Sequence, residues 1–253
     1  MTLLVGGTTS HGSVHTFVHR YELDTSSPTV GSACRDLARR ALLPAALWWL
    51  VVVGIGLLIV GPLGDLPAET GVDRWFEARR TAGLTTLTLV LSDFGQTQFA
   101  IAVCVLVVAL FWWRTRQWWL AVVPAIALGM QAVLFFTSSL LVGRGRPDVG
   151  LLDDSPPTTA FPSGHTSASA ALYVSLALLC QRITRPWLRW GLTVGCTLVP
   201  FAVATARLYR GMHHPTDVVV GLLNGVVCAL LAWWYLRRDV ELSTGGRRPG
   251  GEQ

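Results

Sequence analysis

The sequence predicts an all-α membrane protein, a polytopic bundle of six transmembrane helices with an interfacial helix after the first span. Three observations carry this. Hydrophobic residues make up 51% of the 253 positions and charged residues only 14%. The mean hydropathy is +0.48. Runs of about 20 residues almost free of charge recur along the chain, and that is the length a helix needs to cross the hydrocarbon core of a bilayer. Short polar segments separate the runs, so residues 39–238 form one bundle between tails at 1–38 and 239–253.

The elements follow in order. Residues 1–38 are polar, rich in Gly, Ser, Thr and His, and without sustained apolar periodicity, which predicts a disordered cytoplasmic tail. Leu3-Leu4-Val5 is too short for the apolar core of a signal peptide. His11, His15 and His19 recur every four residues and could hold a metal on one helix face, but Gly12 and Ser13 favour an unstructured segment. The first span covers 42–63. Trp75-Phe76, in the connector to Arg80, suits a helix lying on the bilayer surface. A moderately apolar helix over 81–92 ends at Ser92-Asp93-Phe94-Gly95. Further spans cover 96–113, 117–141, 163–180, 188–206 and 216–236, with tryptophan pairs at several ends. The loop between the third and fourth spans holds Asp148, Asp153, Asp154, Pro156 and Pro157, and its polarity places it in water. The C-terminal tail, 239–253, is polar and cytoplasmic.

Charge sets the orientation. All 20 basic residues are arginine, a bias that fits a bacterial genome rich in GC. With the N-terminus in the cytoplasm, 13 arginines fall on inner segments and 7 on outer ones, so both termini lie inside a cell membrane. The arginines are scattered between spans and do not form one basic face, which excludes nucleic acid as a partner. Cys34, Cys104, Cys180, Cys196 and Cys228 show no CxxC spacing and fit small buried hydrophobes, not disulfides or zinc ligands.

This topology brings three polar clusters to the outer face: Arg144 to Arg146, Pro162 to His165, and Arg207 to Asp217. A helix opening at Ser163 offers unpaired backbone N–H groups to an anion, and Gly164 lets that anion come close. Arg146 and Arg207 can add planar, bidentate donors to phosphate oxygens. Outside the N-terminal tail the histidines are His165, His213 and His214, and all lie in these clusters. Asp217 follows His213 by four residues, a spacing that lets a carboxylate orient the imidazole. A nucleophilic histidine in the third cluster and His165 as acid and base would serve phosphoryl transfer without a metal or other cofactor. The residues alone leave His213 and His214 both open as the nucleophile.

These motifs resemble the type 2 phosphatidic acid phosphatase superfamily, whose three motifs are Lys-x6-Arg-Pro, Pro-Ser-Gly-His and Ser-Arg-x5-His-x3-Asp. The second is intact as Pro162-Ser163-Gly164-His165. The third is Arg207-x5-His213-x3-Asp217, with Ala206 in place of serine. The first keeps Arg146-Pro147 but has Ser139 at the lysine position. The resemblance covers about 40–236. It implies a phosphohistidine on His213, with His165 as acid and base, Asp217 as orienter, and Arg146, Arg207, Ser163 and Gly164 on the phosphate. Arg144 is the expected substitute for the missing lysine charge. The implied substrate is a membrane lipid phosphate or diphosphate, of the undecaprenyl diphosphate, phosphatidic acid or phosphatidylglycerophosphate class. The alternatives are a lipid phosphotransferase and, because of Ser139, a non-catalytic phospholipid-binding or transport protein.

Overall fold

In the computed structural model, which describes residues 10–154 and 158–238, every regular element is helical. Three short helices, α1 (Ser10–Val18), α2 (Arg20–Leu23) and α3 (Val30–Leu37), lead through a π-helical turn at Ala38–Leu42 into α4 (Leu43–Val60). A 3-10 turn at Pro67–Glu69 and the two helices α5 (Thr70–Glu77) and α6 (Ala82–Asp93) connect to α7 (Thr97–Thr115). Then come α8 (Trp118–Ala121), α9 (Val123–Val142), α10 (Gly164–Cys180), α11 (Pro186–Tyr209) and α12 (Pro215–Trp234). Local chemistry sets several ends. The Thr81 hydroxyl accepts from the Leu84 N–H at the start of α6. Proline opens α9, α11 and α12, where its missing N–H costs nothing. α9 stops at Gly143, whose φ of +69° suits a residue without Cβ.

Among the described residues, five helical runs are long and apolar enough to cross a bilayer: Val30–Val60, Thr97–Thr115, Trp118–Val142, Pro186–Tyr209 and Pro215–Trp234. α10 has only 17 residues. At 1.5 Å per residue it spans about 26 Å, a little less than a hydrocarbon core of about 30 Å. It is instead the centre of the bundle, packed against α7, α9, α11 and α12. Its first half, Thr166 to Tyr173, is buried throughout and made mostly of Ser, Thr and Ala. Small side chains let neighbouring helices approach closely where lipid supplies no hydrophobic drive for helix association. Gly221 and Gly225 of α12 lie against the backbone oxygens of Ser163 and Ser167, where a Cβ would overlap. Asn224, fully buried between them, donates to Ser167 Oγ at 2.7 Å and accepts from Trp48 Nε1 at 3.2 Å, tying α4, α10 and α12. The lipid-facing side is apolar and exposed, with Leu47, Leu50, Leu106, Leu140 and Leu198 pointing outward.

The expectation of a disordered tail over 1–38 does not hold for residues 10–37, which fold as α1 to α3 with short connections. Burial against the C-terminal end of α12 explains the difference. Tyr21 is 1% exposed and donates to the Trp233 carbonyl at 3.0 Å, while Trp233 Nε1 donates to the Phe17 carbonyl at 2.9 Å. Phe17 stacks on Trp234 with ring centroids 5.7 Å apart. Two aromatic residues in a polar segment were enough to anchor it, a signal that average polarity hides. The rings of His15 and His19 are 4.5 Å apart, and His19 Nδ1 pairs with Glu22 Oε2 at 2.6 Å. The side chain of His11, residues 1–9 and the tail 239–253 lie outside the described residues.

The close approach of α10 and α12 makes a test. Gly225→Ala should lower the melting temperature, by the roughly 1–3 kcal/mol that overpacking costs. Gly191→Ala, in a position of α11 with open space around it, should leave the temperature unchanged or raise it. Thermal unfolding of both variants in detergent decides this.

Candidate active site

A cavity of about 650 Å³ lies between α7, α9 and α10, beneath the loops that join α9 to α10 and α11 to α12. Arg146, Arg207, His165, His213 and Gly164 line its polar end. The rest is mostly apolar, walled by residues such as Ala100, Leu128, Ala132 and Phe135, with Gln131 among them. Ile101, Val105 and Phe136 line it too, and they are 50%, 63% and 52% exposed, so the cavity opens sideways between α7 and α9 towards lipid.

α10 brings two of these groups. Ser163 is its N-cap, and its backbone N–H donates to the Asp217 carbonyl at 2.9 Å, joining the starts of α10 and α12. The Ser163 hydroxyl is fully buried and bonded to Thr166 Oγ1 at 2.9 Å, and Ser163 is absent from the cavity wall. Gly164 is on the wall, where a Cβ would meet the ring of Phe135 at 2.8 Å. The N–H groups of the first turn have no intrahelical partner and carry the positive end of the helix dipole. His165 sits in that turn, on the wall.

Arg207 ends α11 and is 3% exposed. Its Nη1 donates to Ser92 Oγ at 2.9 Å and to Asp153 Oδ2 at 2.8 Å. Asp153 also accepts from Arg210 Nε at 2.8 Å, so one carboxylate aligns two guanidinium groups. Burial works to raise the Asp153 pKa, but the hydrogen bond from Arg210 and the charge of Arg207 outweigh it and hold the carboxyl below its ordinary range. Arg146 donates to the carbonyls of Met212 at 2.6 Å and Thr158 at 3.2 Å, which fixes it between the two loops.

His213 is 4% exposed, and its Nδ1 lies 2.7 Å from the Ala160 carbonyl oxygen. A carbonyl can only accept, so Nδ1 carries the proton and Nε2 keeps its lone pair. Burial, and after it the charges of Arg207 and Arg146, hold the imidazole well below the ordinary histidine pKa, which keeps it neutral. The spacing argument for Asp217 as orienter of His213 is therefore corrected. Asp217 Oδ2 accepts from the His214 N–H at 2.8 Å, capping α12, and Oδ1 accepts from Arg144 Nη1 at 2.6 Å. The four-residue spacing assumed a helix that includes His213, whereas α12 begins at Pro215.

Arg144 is corrected as well. It is 1% exposed, it is absent from the cavity wall, and all five of its N–H bonds are taken. Nε donates to Asp65 Oδ1 at 2.7 Å. Nη1 donates to Thr216 Oγ1 at 2.7 Å and to Asp217, and Nη2 to Glu69 Oε2 at 2.7 Å and the Asp65 carbonyl at 3.0 Å. No donor remains for a phosphate. Ser139, at the lysine position, is 1% exposed and bonds Thr159 Oγ1 at 2.9 Å and the Thr159 N–H at 3.1 Å, so it shapes the loop that carries Ala160.

The acidic side of this network was missed in the sequence. Glu69 accepts from the Thr216 N–H at 2.6 Å, Asp73 Oδ2 pairs with His214 Nδ1 at 2.7 Å, and Glu77 accepts from the Gly150 N–H at 2.7 Å. Asp65, Glu69, Asp73 and Glu77 recur every four residues in a chain with only 15 acidic side chains. That periodicity was the available signal: one acidic face on the connector, turned to the bundle, with Trp75 half exposed. Among the described residues, no three His, Cys, Asp or Glu side chains converge as a metal set.

A family model described as the PAP2 superfamily matches residues 117–241, which include all three motif regions. Decaprenylphosphoryl-5-phosphoribose phosphatase of Mycolicibacterium smegmatis is 30% identical over 146 residues, 55% of this chain and 72% of that protein. The chain belongs to the PAP2 superfamily. The enzyme of the same name from Mycobacterium tuberculosis (strain CDC 1551 / Oshkosh) is 36% identical over 115 residues, 44% of this chain. The match spans 57% of that relative's length. A PAP2-type phosphatidylglycerolphosphate phosphatase from Bacillus subtilis shares the fold, with a TM-score of 0.64 at 20% identity over 75% of this chain and 92% of that one.

Two tests follow from the geometry. Arg144→Lys should destabilise the fold by about 3–5 kcal/mol, because it strands buried carboxylates; a KM effect with unchanged melting would contradict the structural role. For His213 the folded pKa is depressed, so below about pH 6.5 the unfolded imidazole binds a proton that the folded one does not. Its contribution to stability is therefore whole above that pH and lost as pH falls. Melting temperatures should drop between pH 7.5 and 5.5 by more in wild type than in His213→Asn.

Proposed function

We propose that the chain is a membrane phosphatase removing phosphate from a lipid phosphate or diphosphate through a phosphohistidine on His213. The observation that carries this reading is one cavity that passes from two histidines and two arginines to a mostly apolar wall and opens towards lipid. A charged head group and an apolar tail fit such a gradient end to end. The lipid-linked names of the relatives point the same way.

In the proposed reaction the Nε2 lone pair of His213 attacks phosphorus, and the bond to the lipid oxygen breaks as His165 gives that oxygen its proton. The phosphoryl group is then on His213. His165, now neutral, takes a proton from water, whose oxygen attacks phosphorus and releases inorganic phosphate, restoring both histidines. Arg146, Arg207 and the first-turn N–H groups of α10 stabilise the equatorial oxygens. The Ala160 carbonyl, not Asp217, holds the His213 tautomer. By arginine counting the site faces outside, with α10 as the fourth of six spans, α5 at the outer interface and both termini in the cytoplasm. Undecaprenyl diphosphate, phosphatidic acid and phosphatidylglycerophosphate are the substrate classes to compare. Metal enters none of these steps.

Purified protein should release phosphate from at least one of these lipids in the presence of EDTA, and vanadate should inhibit it as a transition-state analogue. His213→Ala should lose on the order of 10⁴–10⁶-fold in kcat, and His165→Ala about 10²–10⁴-fold. Full activity in His213→Ala would end the nucleophile assignment. Tight lipid phosphate binding without turnover in wild type would favour a binding protein, the reading that Ser139 and the engaged Arg144 support. Phosphate passed to an added alcohol and not to water would mark a phosphotransferase.

A further inference from the structure

One polar side chain on the cavity wall takes no part in this chemistry. Gln131 lies midway along α9, is 4% exposed and lines the cavity. Its Oε1 is buried without a hydrogen-bond partner. An unpaired amide in an apolar, lipid-facing helix is costly unless something else pairs with it. Its position says what that would be. Phe135, one turn further along α9, packs its ring against Gly164 at the start of α10. Gln131 is four residues deeper, about 6 Å along the helix axis, so it stands below the phosphate site and beside the first atoms of the tail.

We infer that Gln131 is a specificity-determining residue that hydrogen-bonds a polar linker between the phosphate and the hydrocarbon of the substrate. The inference rests on the lipid phosphatase reading and narrows it. The unpaired atom is an acceptor, so a hydroxyl of a sugar or glycerol linker satisfies it, whereas an ester carbonyl, itself only an acceptor, does not. A lipid whose hydrocarbon begins at the first carbon leaves it unpaired. A site built around a hydrogen bond discriminates against the analogue that lacks the partner, because its own polar group is then stranded.

Gln131→Met keeps the shape of the side chain and removes the amide. Three substrates separate the cases: a diacylglycerol phosphate, with ester carbonyls; a prenyl-phosphoryl pentose phosphate, with ring hydroxyls; and a prenyl monophosphate, with neither. Gln131→Met should lower kcat/KM at least tenfold on the pentose lipid, whose hydroxyls can donate, while leaving the prenyl monophosphate and the diacylglycerol phosphate within twofold. A loss on the diacylglycerol phosphate alone overturns the inference. The melting temperature of the substrate-free variant should equal or exceed that of wild type, since a buried unpaired amide has gone, and this guards against misfolding. An equal loss on all three lipids, or no loss on any, overturns the inference. If wild type hydrolyses none of them, the phosphatase reading fails separately, and lipid-induced thermal stabilisation then decides. Greater stabilisation of wild type than of Gln131→Met by the pentose lipid upholds the contact, and equal stabilisation refutes it.

Discussion

Everything at the site end of this bundle depends on the burial of one cation. Arg144 sits where neither water nor lipid can serve its guanidinium, so every N–H must be met by protein. The chain meets them from two places: Asp65 and Glu69 after α4, and Thr216 and Asp217 at the start of α12. Carboxylates that would repel one another are thereby drawn into a single knot. Its value is less the energy of any pair than the relative placement it imposes on segments more than 140 residues apart in sequence.

The placement passes on to the site through the backbone. The Ala160 N–H donates to the Arg144 carbonyl at 3.0 Å, and the Ala160 carbonyl receives Nδ1 of His213. The loop between them is braced by Ser139 against Thr159. A peptide carbonyl cannot take the imidazole proton away, so it fixes the tautomer without competing for charge. In a dry pocket already holding Arg146 and Arg207, a neutral histidine with a free Nε2 is the form that burial favours. Asp217, no longer needed there, neutralises Arg144 and caps α12.

The two ends of the cavity follow different physics. At the polar end charged groups are numerous, buried and paired. Away from it the walls are mostly apolar side chains, the helices are held together by Ser, Ala and Gly contacts, and the opening between α7 and α9 is lined by residues equally at home in lipid. A charged head is held by geometry, while a tail needs only an apolar slot. Gln131 breaks that rule, which is why it draws interest.

Much was legible in the sequence because bilayer burial is a property of composition. Runs of apolar residues mark spans, and a histidine or arginine beside them is costly enough to stand out, so the helices and the residues now found on the cavity wall (Arg146, Gly164, His165, Arg207 and His213) were readable one segment at a time. The acidic repeat from Asp65 to Glu77 was visible too, but its meaning depends on what it faces. Partnership was the part that only the tertiary structure decided. Whether Asp217 serves His213 or Arg144, whether Arg144 is free for a ligand, and whether residues 10–37 find an aromatic anchor at Trp233 and Trp234 all depend on groups distant along the chain. A buried donor takes whichever acceptor the packing brings within 3 Å, and sequence spacing measures that distance only inside a single helix.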